Sequence, residues 1–321
     1  GIVHLFSRAF GIEDLFGVKV SLLLFLWITG GLFVYFFHSW IAGAAIQFAV
    51  MLNIGMGYLD IYYTPFLFLS VMALHNGRVS WFAFCYSIAA MIKAQPMILG
   101  PFLLIYALQQ LVLRQNGKLS WRLCLQHLGL PIAVVMVPLL VIYGEPMYSA
   151  ISYAVHGHYV NGQAFNLGLL LTYAANVGAP NGIGSPGLTE GGLISLIPSV
   201  RMLNLPLQLL FFVAYGSVIW RYWQRRDQGF DCFLKHTALA FLCYYCLNSG
   251  VHENHMFIFN LFLTMLAIRV AEYRLYFIVF SILSSLNLVL FFGISGLPLG
   301  FHRGLGGVDM AIPFSAITLV F

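Results

Sequence analysis

Charge is the commodity this sequence has least of: 8% of its 321 residues are Asp, Glu, Lys or Arg, against 61% hydrophobic. With a mean hydropathy of +0.89, it lies far outside the range of a soluble globular domain, so water is excluded as its main solvent. Cysteine is sparse too. Cys85, Cys124, Cys232, Cys243 and Cys246 are scattered, with no spacing that suits a disulfide framework or a zinc ribbon, and they read as free thiols in helices. Period-two alternation is absent, which argues against a membrane β-barrel. The apolar runs are instead continuous and approach the length needed to cross a hydrocarbon core of roughly 30 Å as helices. Each must then satisfy its own backbone. No internal repeat and no soluble domain is visible. The chain also lacks an initial Met and a leader pattern; starting at Gly1 and stopping at Phe321 inside an apolar run, it is expected to be a fragment of something longer.

What is present is a series of spans, expected at about 18–37, 41–57, 60–75, 80–92, 96–113, 130–144, 201–221, 237–250, 255–269 and 274–294, with another beginning near 311. These make a single transmembrane domain over 1–321, an all-α polytopic helical bundle of about ten or eleven spans or half-spans. The net charge of +5 sits in short clusters between the spans, at Arg114, Lys118 and Arg122, at Arg221, Arg225, Arg226 and Lys235, and at Arg269 and Arg274. Topology explains them better than a nucleic-acid partner does, and the positive-inside rule turns these loops to the cytoplasm. Between Arg122 and Arg201 there is no Lys or Arg, only Glu145 and Glu190. That long loop, about 145–200, is therefore external, with a short interfacial helix expected at 166–174. By the same parity Asn248 to His255, Ile294 to Asp309, Lys93 to Pro96 and Asp60 also face outward.

Four places hold polar groups that can carry chemistry. His252, Glu253, Asn254 and His255 follow Ser249 and Gly250 at the mouth of two helices. Histidines three apart share a helix face and suit a phosphate, a sugar hydroxyl or a metal; the structural alternative is a polar turn that caps two helices. The order is His-Glu-x-His and not the His-Glu-x-x-His of zinc peptidases, so no metal is assigned. Asp60 ends Gly55-Met-Gly-Tyr-Leu-Asp60, at the edge of a span; it suits an acceptor hydroxyl, an ion pair with Lys93, or a helix N-terminus. Lys93, Gln95 and Pro96 interrupt an apolar stretch, where a lysine suits a phosphate or else snorkels to the interface. Arg201 and Arg303 are external cations able to meet a lipid phosphate or anchor a headgroup. Gly182-Ile-Gly-Ser-Pro-Gly187 copies the spacing of a dinucleotide fingerprint, but no strand precedes it, so it is dismissed.

Taken in order, these pieces resemble the polytopic GT-C type glycosyltransferases, which use a polyprenyl- or dolichyl-phosphate sugar as donor. Gly55 to Asp60 resembles the family's Gly-Gln-x-Asp region, with Tyr58 where Gln is usual. Met91 to Met97 resembles its Lys-Pro-Gln stretch, Phe165-Asn166-Leu167 the Asn-Leu of its large external loop, and Val251 to Phe257 its His-Glu-x-His-x-Phe segment. The resemblance spans nearly the whole chain and implies a GT-C-like, mannosyltransferase-like enzyme truncated at both ends, in a bacterial cytoplasmic membrane or the endoplasmic reticulum, active on the external or lumenal face. It implies inverting transfer to a hydroxyl on a glycan, lipid or protein, with Asp60, His252 and Glu253 in catalysis. Lys93, Gln95, Asn166, Asn254, His255 and Arg303 are implied in substrate binding. No cofactor is implied beyond the lipid-linked donor, and a divalent metal is left open. The family's base is an acid after its first transmembrane helix; Lys19 resembles a basic position that follows it, and Glu13 and Asp14 are poor substitutes. A secondary transporter of a small solute and a non-enzymatic membrane scaffold are the rival readings.

Overall fold

The computed structural model describes residues 14–114, 120–155, 159–178, 188–189, 193–194, 197–198, 201–225, 229–292, 304–305 and 308–321. It is an all-α helical bundle, and its strands are four residues long at most. Among the described residues, five stretches are long and apolar enough to cross a membrane: Phe16–Phe37, Gln95–Val112, Trp121–Pro146, Leu203–Gln224 and Ala271–Phe291. Such a chain is an integral, multi-pass membrane protein. The exposed faces agree with that reading, since Val134, Val137, Val141 and Ile142 on one span and Leu209, Phe212 and Val213 on another are uncovered by protein. Hydrocarbon is the solvent that accepts such faces.

The chain divides into two compact units. The first comprises Gly1–Ala44, Leu59–His156 and Ile219–Thr237. It holds α1 (Asp14–Phe37), the start of α2 (Trp40–Met56), α3 (Asp60–His75), α4 (Val79–Ile92), α5 (Gly100–Arg114) and α6 (Leu130–Val155). At about 1.5 Å per residue, α3 and α4 rise only about 24 and 21 Å, short of a hydrocarbon core of about 30 Å. They form an antiparallel hairpin, closed at one end by the short turn at Asn76 to Arg78. Phe33 of α1 stacks on Phe68 of α3 with ring centroids 4.3 Å apart. Elsewhere in the unit Tyr106 of α5 stacks on Phe233 at 4.8 Å. The sequence ended a span at 144, whereas α6 runs on through Pro146 to Val155. Pro146 has no N–H to give to the preceding turn, and the backbone leaves helical geometry at Tyr143 (φ −123°), so the helix kinks there instead of stopping.

The second unit comprises Ala45–Tyr58, Gly157–Val218 and Ala238–Phe321. It contains β1 (Tyr159–Gly162), α7 (Leu167–Gly178), β2 (Leu188–Thr189), β3 (Leu193–Ile194), β4 (Ile197–Pro198), most of α8 (Arg201–Gln224) and the second half of α9 (Phe230–Leu247). It closes with β5 (Val251–His252), α10 (Phe257–Arg269), α11 (Arg274–Phe292), β6 (Gly304–Leu305), β7 (Val308–Asp309) and α12 (Ala311–Val320). Strand β1 lies between β4, antiparallel, and β5, parallel. Below it Val160, Phe165, Leu169, Leu207 and Ala311 form a buried cluster. From Phe257 to Ala267 helix α10 is apolar apart from Asn260 and Thr264, and that stretch is buried. Where a short helix was expected at 166–174, α7 runs from Leu167 to Gly178.

At Gly43 helices α1 and α2 approach closely. A Cβ there would lie 2.6 Å from a Val34 methyl and 2.9 Å from the Gly30 carbonyl oxygen, whereas one on Gly31 would meet nothing within 4 Å. Small residues let apolar helices approach when no hydrophobic force drives them together. Gly43→Val should cost about 1–3 kcal/mol by overpacking, read as a lowered melting temperature in detergent, while Gly31→Ala should leave it unchanged or raised.

Candidate functional site

In the first unit the polar groups gather where α3 begins and α4 ends. Asp60 is the first residue of α3 and is fully buried. Lys93, extended at φ −154° and ψ 140°, is the residue on which α4 ends. Its Nζ donates to Asp60 Oδ1 and Oδ2, both at 2.9 Å. The antiparallel hairpin brings a helix start beside a helix end, so the carboxylate sits at a positive dipole end and the ammonium at a negative one. The ion-pair and helix-terminus readings of Asp60 are both realised. Tyr63, one turn on, donates its hydroxyl hydrogen to Asp60 Oδ1 at 3.0 Å, and the Thr64 hydroxyl donates to the Asp60 carbonyl. Gln95 opens the 3-10 turn Gln95–Leu99 and is 8% exposed. Its Oε1 lies 3.5 Å from Tyr63 Oη, and its Nε2 has no hydrogen-bond partner among the described residues.

In the second unit the polar groups form one turn. Gly250, at φ +70°, makes the reversal from α9 into β5, a conformation that costs glycine nothing. Its N–H donates to the Val160 carbonyl, which seats Val251 and His252 against β1. The 3-10 turn Glu253–Met256 follows, and its two histidines cap each other. The His255 N–H donates to the His252 ring, and the His252 N–H donates to His255 Nδ1 at 3.2 Å. A ring nitrogen that accepts from a main-chain N–H carries no proton, so His255 holds its proton on Nε2. Tyr244 Oη lies 3.1 Å from the same Nδ1 and donates to it. Glu253 is buried; its Oε1 accepts the Tyr58 hydroxyl, and its Oε2 lies 3.9 Å from Nδ1 of the more exposed His252. Asn254 is buried in the same turn. The capping role and the clustering of the four residues are both present.

Against known proteins the chain matches no family model, no curated protein and no solved structure. Its chemistry is therefore argued from the two clusters themselves.

Asn166 is fully buried as the cap of α7: Oδ1 accepts the Leu169 N–H at 3.1 Å, and Nδ2 donates to the Tyr245 carbonyl at 3.1 Å. Both ends of its amide are held by main chain, so in this geometry it fixes the loop's entry into α7. Arg303 and the Gly182 to Gly187 segment lie outside the described residues, and so do Glu13 and Glu190. Among the described residues no three His, Cys, Asp or Glu side chains are placed to hold a metal. The tyrosines are what the sequence did not single out. Tyr58 was visible only as a departure from a motif and turns out to hold Glu253. Tyr63, three residues after Asp60, had a helical spacing that could have been read; Tyr244, eleven residues before His255, had none.

Removing one partner of a buried pair leaves the other charge uncompensated, at a cost of about 3 kcal/mol, near the low end for buried pairs because the Lys93 side chain is 28% exposed. Asp60→Asn and Lys93→Met should each destabilise by about that much, and the double variant by much less than their sum. Equilibrium unfolding of the four proteins in one detergent checks this coupling.

Proposed function

We propose that the chain is a GT-C type glycosyltransferase, moving a sugar from a polyprenyl- or dolichyl-phosphate donor to a hydroxyl acceptor on the non-cytoplasmic side of its membrane. The observation that carries the reading is the turn at 252–255. In a chain of hydrocarbon-like composition, two imidazoles and a buried carboxylate are held in one turn by main-chain N–H groups and by Tyr58 and Tyr244. Capping accounts for the imidazoles' bonds to main chain but not for the buried carboxylate beside them.

Sidedness follows from charge. In the second unit Arg269 and Arg274 lie at the end of the α10–α11 hairpin remote from His255; in the first, Arg78 lies at the closed end of the α3–α4 hairpin, opposite Asp60 and Lys93. Under the positive-inside rule the basic ends are cytoplasmic and the polar clusters external or lumenal. A lipid-phosphate sugar presents its headgroup there, with its tail in hydrocarbon.

In the proposed reaction a base takes the acceptor hydroxyl proton, and the oxygen attacks the anomeric carbon from the face opposite the phosphate. The bond from that carbon to the phosphate oxygen breaks, with its electron pair leaving on the lipid phosphate. His255, a donor through Nε2, and His252 suit the developing phosphate charge. Glu253 orients His252. Asp60, already paired with Lys93, acts by positioning rather than as the base.

The test uses the full-length protein in nanodiscs with a labelled polyprenyl-phosphate sugar and a hydroxyl acceptor. His252→Ala should lower transfer about 100-fold or more with the melting temperature retained, and Asp60→Asn should lower it also. Transfer at wild-type rate in His252→Ala, Lys93→Ala and Asp60→Asn alike would remove these residues from the site. Solute uptake into liposomes without any sugar transfer would replace the enzyme by a transporter.

A further inference from the structure

We infer that the cluster of Asp60, Tyr63, Lys93 and Gln95 binds a neutral hydroxyl group, of the transferred sugar or of its acceptor, and not a phosphate. The inference rests on the glycosyltransferase reading and assigns one part of the substrate to this one cluster.

Charge argues first. Lys93 gives two of its three ammonium donors to the two oxygens of Asp60, both at 2.9 Å, so the pair is neutral as a unit. The helix ends on which the two residues sit carry opposite partial charges and cancel likewise. A phosphate arriving here would meet an ammonium already paired with a buried carboxylate.

Hydrogen bonding argues second. Tyr63 has one hydroxyl hydrogen, and Asp60 Oδ1 at 3.0 Å takes it in preference to Gln95 Oε1 at 3.5 Å. If the Gln95 amide is turned end for end, its NH2 meets the Tyr63 oxygen and its carbonyl oxygen becomes the outer atom. In either orientation the end remote from Tyr63 has no partner among the described residues, although the residue is only 8% exposed. An orphaned buried amide costs stability and is kept where something else completes it. A hydroxyl both donates and accepts, so it satisfies either orientation; a phosphate oxygen only accepts. Lys93, 28% exposed along its side chain, leaves the cluster open to an arriving group.

Gln95→Leu tests this in the full-length protein in nanodiscs. The probes are methyl glycosides of mannose, glucose and galactose on one side and inorganic phosphate on the other, read by saturation-transfer NMR. Wild type should bind at least one glycoside, Gln95→Leu should weaken it at least tenfold, and phosphate should not compete. The unliganded variant should melt no lower than wild type, because an unpaired buried amide has been removed; a residue with a merely structural role would lower it. Competition by phosphate, undiminished glycoside binding in Gln95→Leu, or no glycoside binding in wild type, which would leave a water molecule in the cluster, each overturns the inference. Transfer that depends on His252 but survives Gln95→Leu unchanged would sink the inference while sparing the enzyme; absence of any transfer by wild type would sink the enzyme, whatever the glycosides do.

Discussion

A carboxylate with no exposed surface and an ammonium 2.9 Å from both its oxygens fix one end of the α3–α4 hairpin, and the first unit's polar chemistry hangs on that pair. Neither charge is tolerable alone in such a place: an ion without its partner costs several kcal/mol in low dielectric. Because the helices run antiparallel, the pair also agrees with both helix dipoles. Tyr63 and Gln95 are then positioned by a neutral unit, which decides what kind of ligand the cluster can welcome.

The second unit meets the same difficulty by different means. Its buried carboxylate, Glu253, accepts the Tyr58 hydroxyl and lies 3.9 Å from an imidazole nitrogen of His252. Its histidines serve the main chain before they serve any ligand, each ring accepting an N–H that the start of a helical turn would otherwise leave unmet. Capping and chemistry are therefore not rivals here. The cap fixes which nitrogen of His255 carries the proton, and through that, which nitrogen can donate.

How much of this could be read from the amino-acid order depends on the range of the interaction. The membrane class and the helical bundle follow from long apolar runs, a local property summed over many residues, and among the described residues five of those runs are long enough to span. The break at Lys93 to Pro96 and the polar turn at 252–255 were legible as interruptions of apolar sequence. The Asp60–Lys93 pair was one of several readings for Asp60, and only the antiparallel return of α4 selects it. Tyr58 and Tyr244 were beyond reach, since an aromatic residue in an apolar chain is unremarkable until the fold brings a carboxylate or an imidazole to its hydroxyl. The extent of α6 was misjudged for a more local reason: the helix bends at Tyr143 and continues through Pro146 to Val155.

The contrast between the two units bears on what each can recognise. In the first, opposite charges cancel at contact distance, and what is left over is an amide that wants a partner of either polarity. In the second, a buried carboxylate accepts a tyrosine hydroxyl, and the two imidazoles beside it serve the main chain through one ring nitrogen each. An enzyme acting on a sugar phosphate has two such tasks to divide: a neutral, hydroxyl-rich part must be held in register, and a phosphate must be accommodated as its charge grows during bond cleavage. Donors that are not already committed to a counter-ion suit the second task, because their interaction strengthens as the leaving oxygen gains charge, whereas a lysine locked to an aspartate gains little.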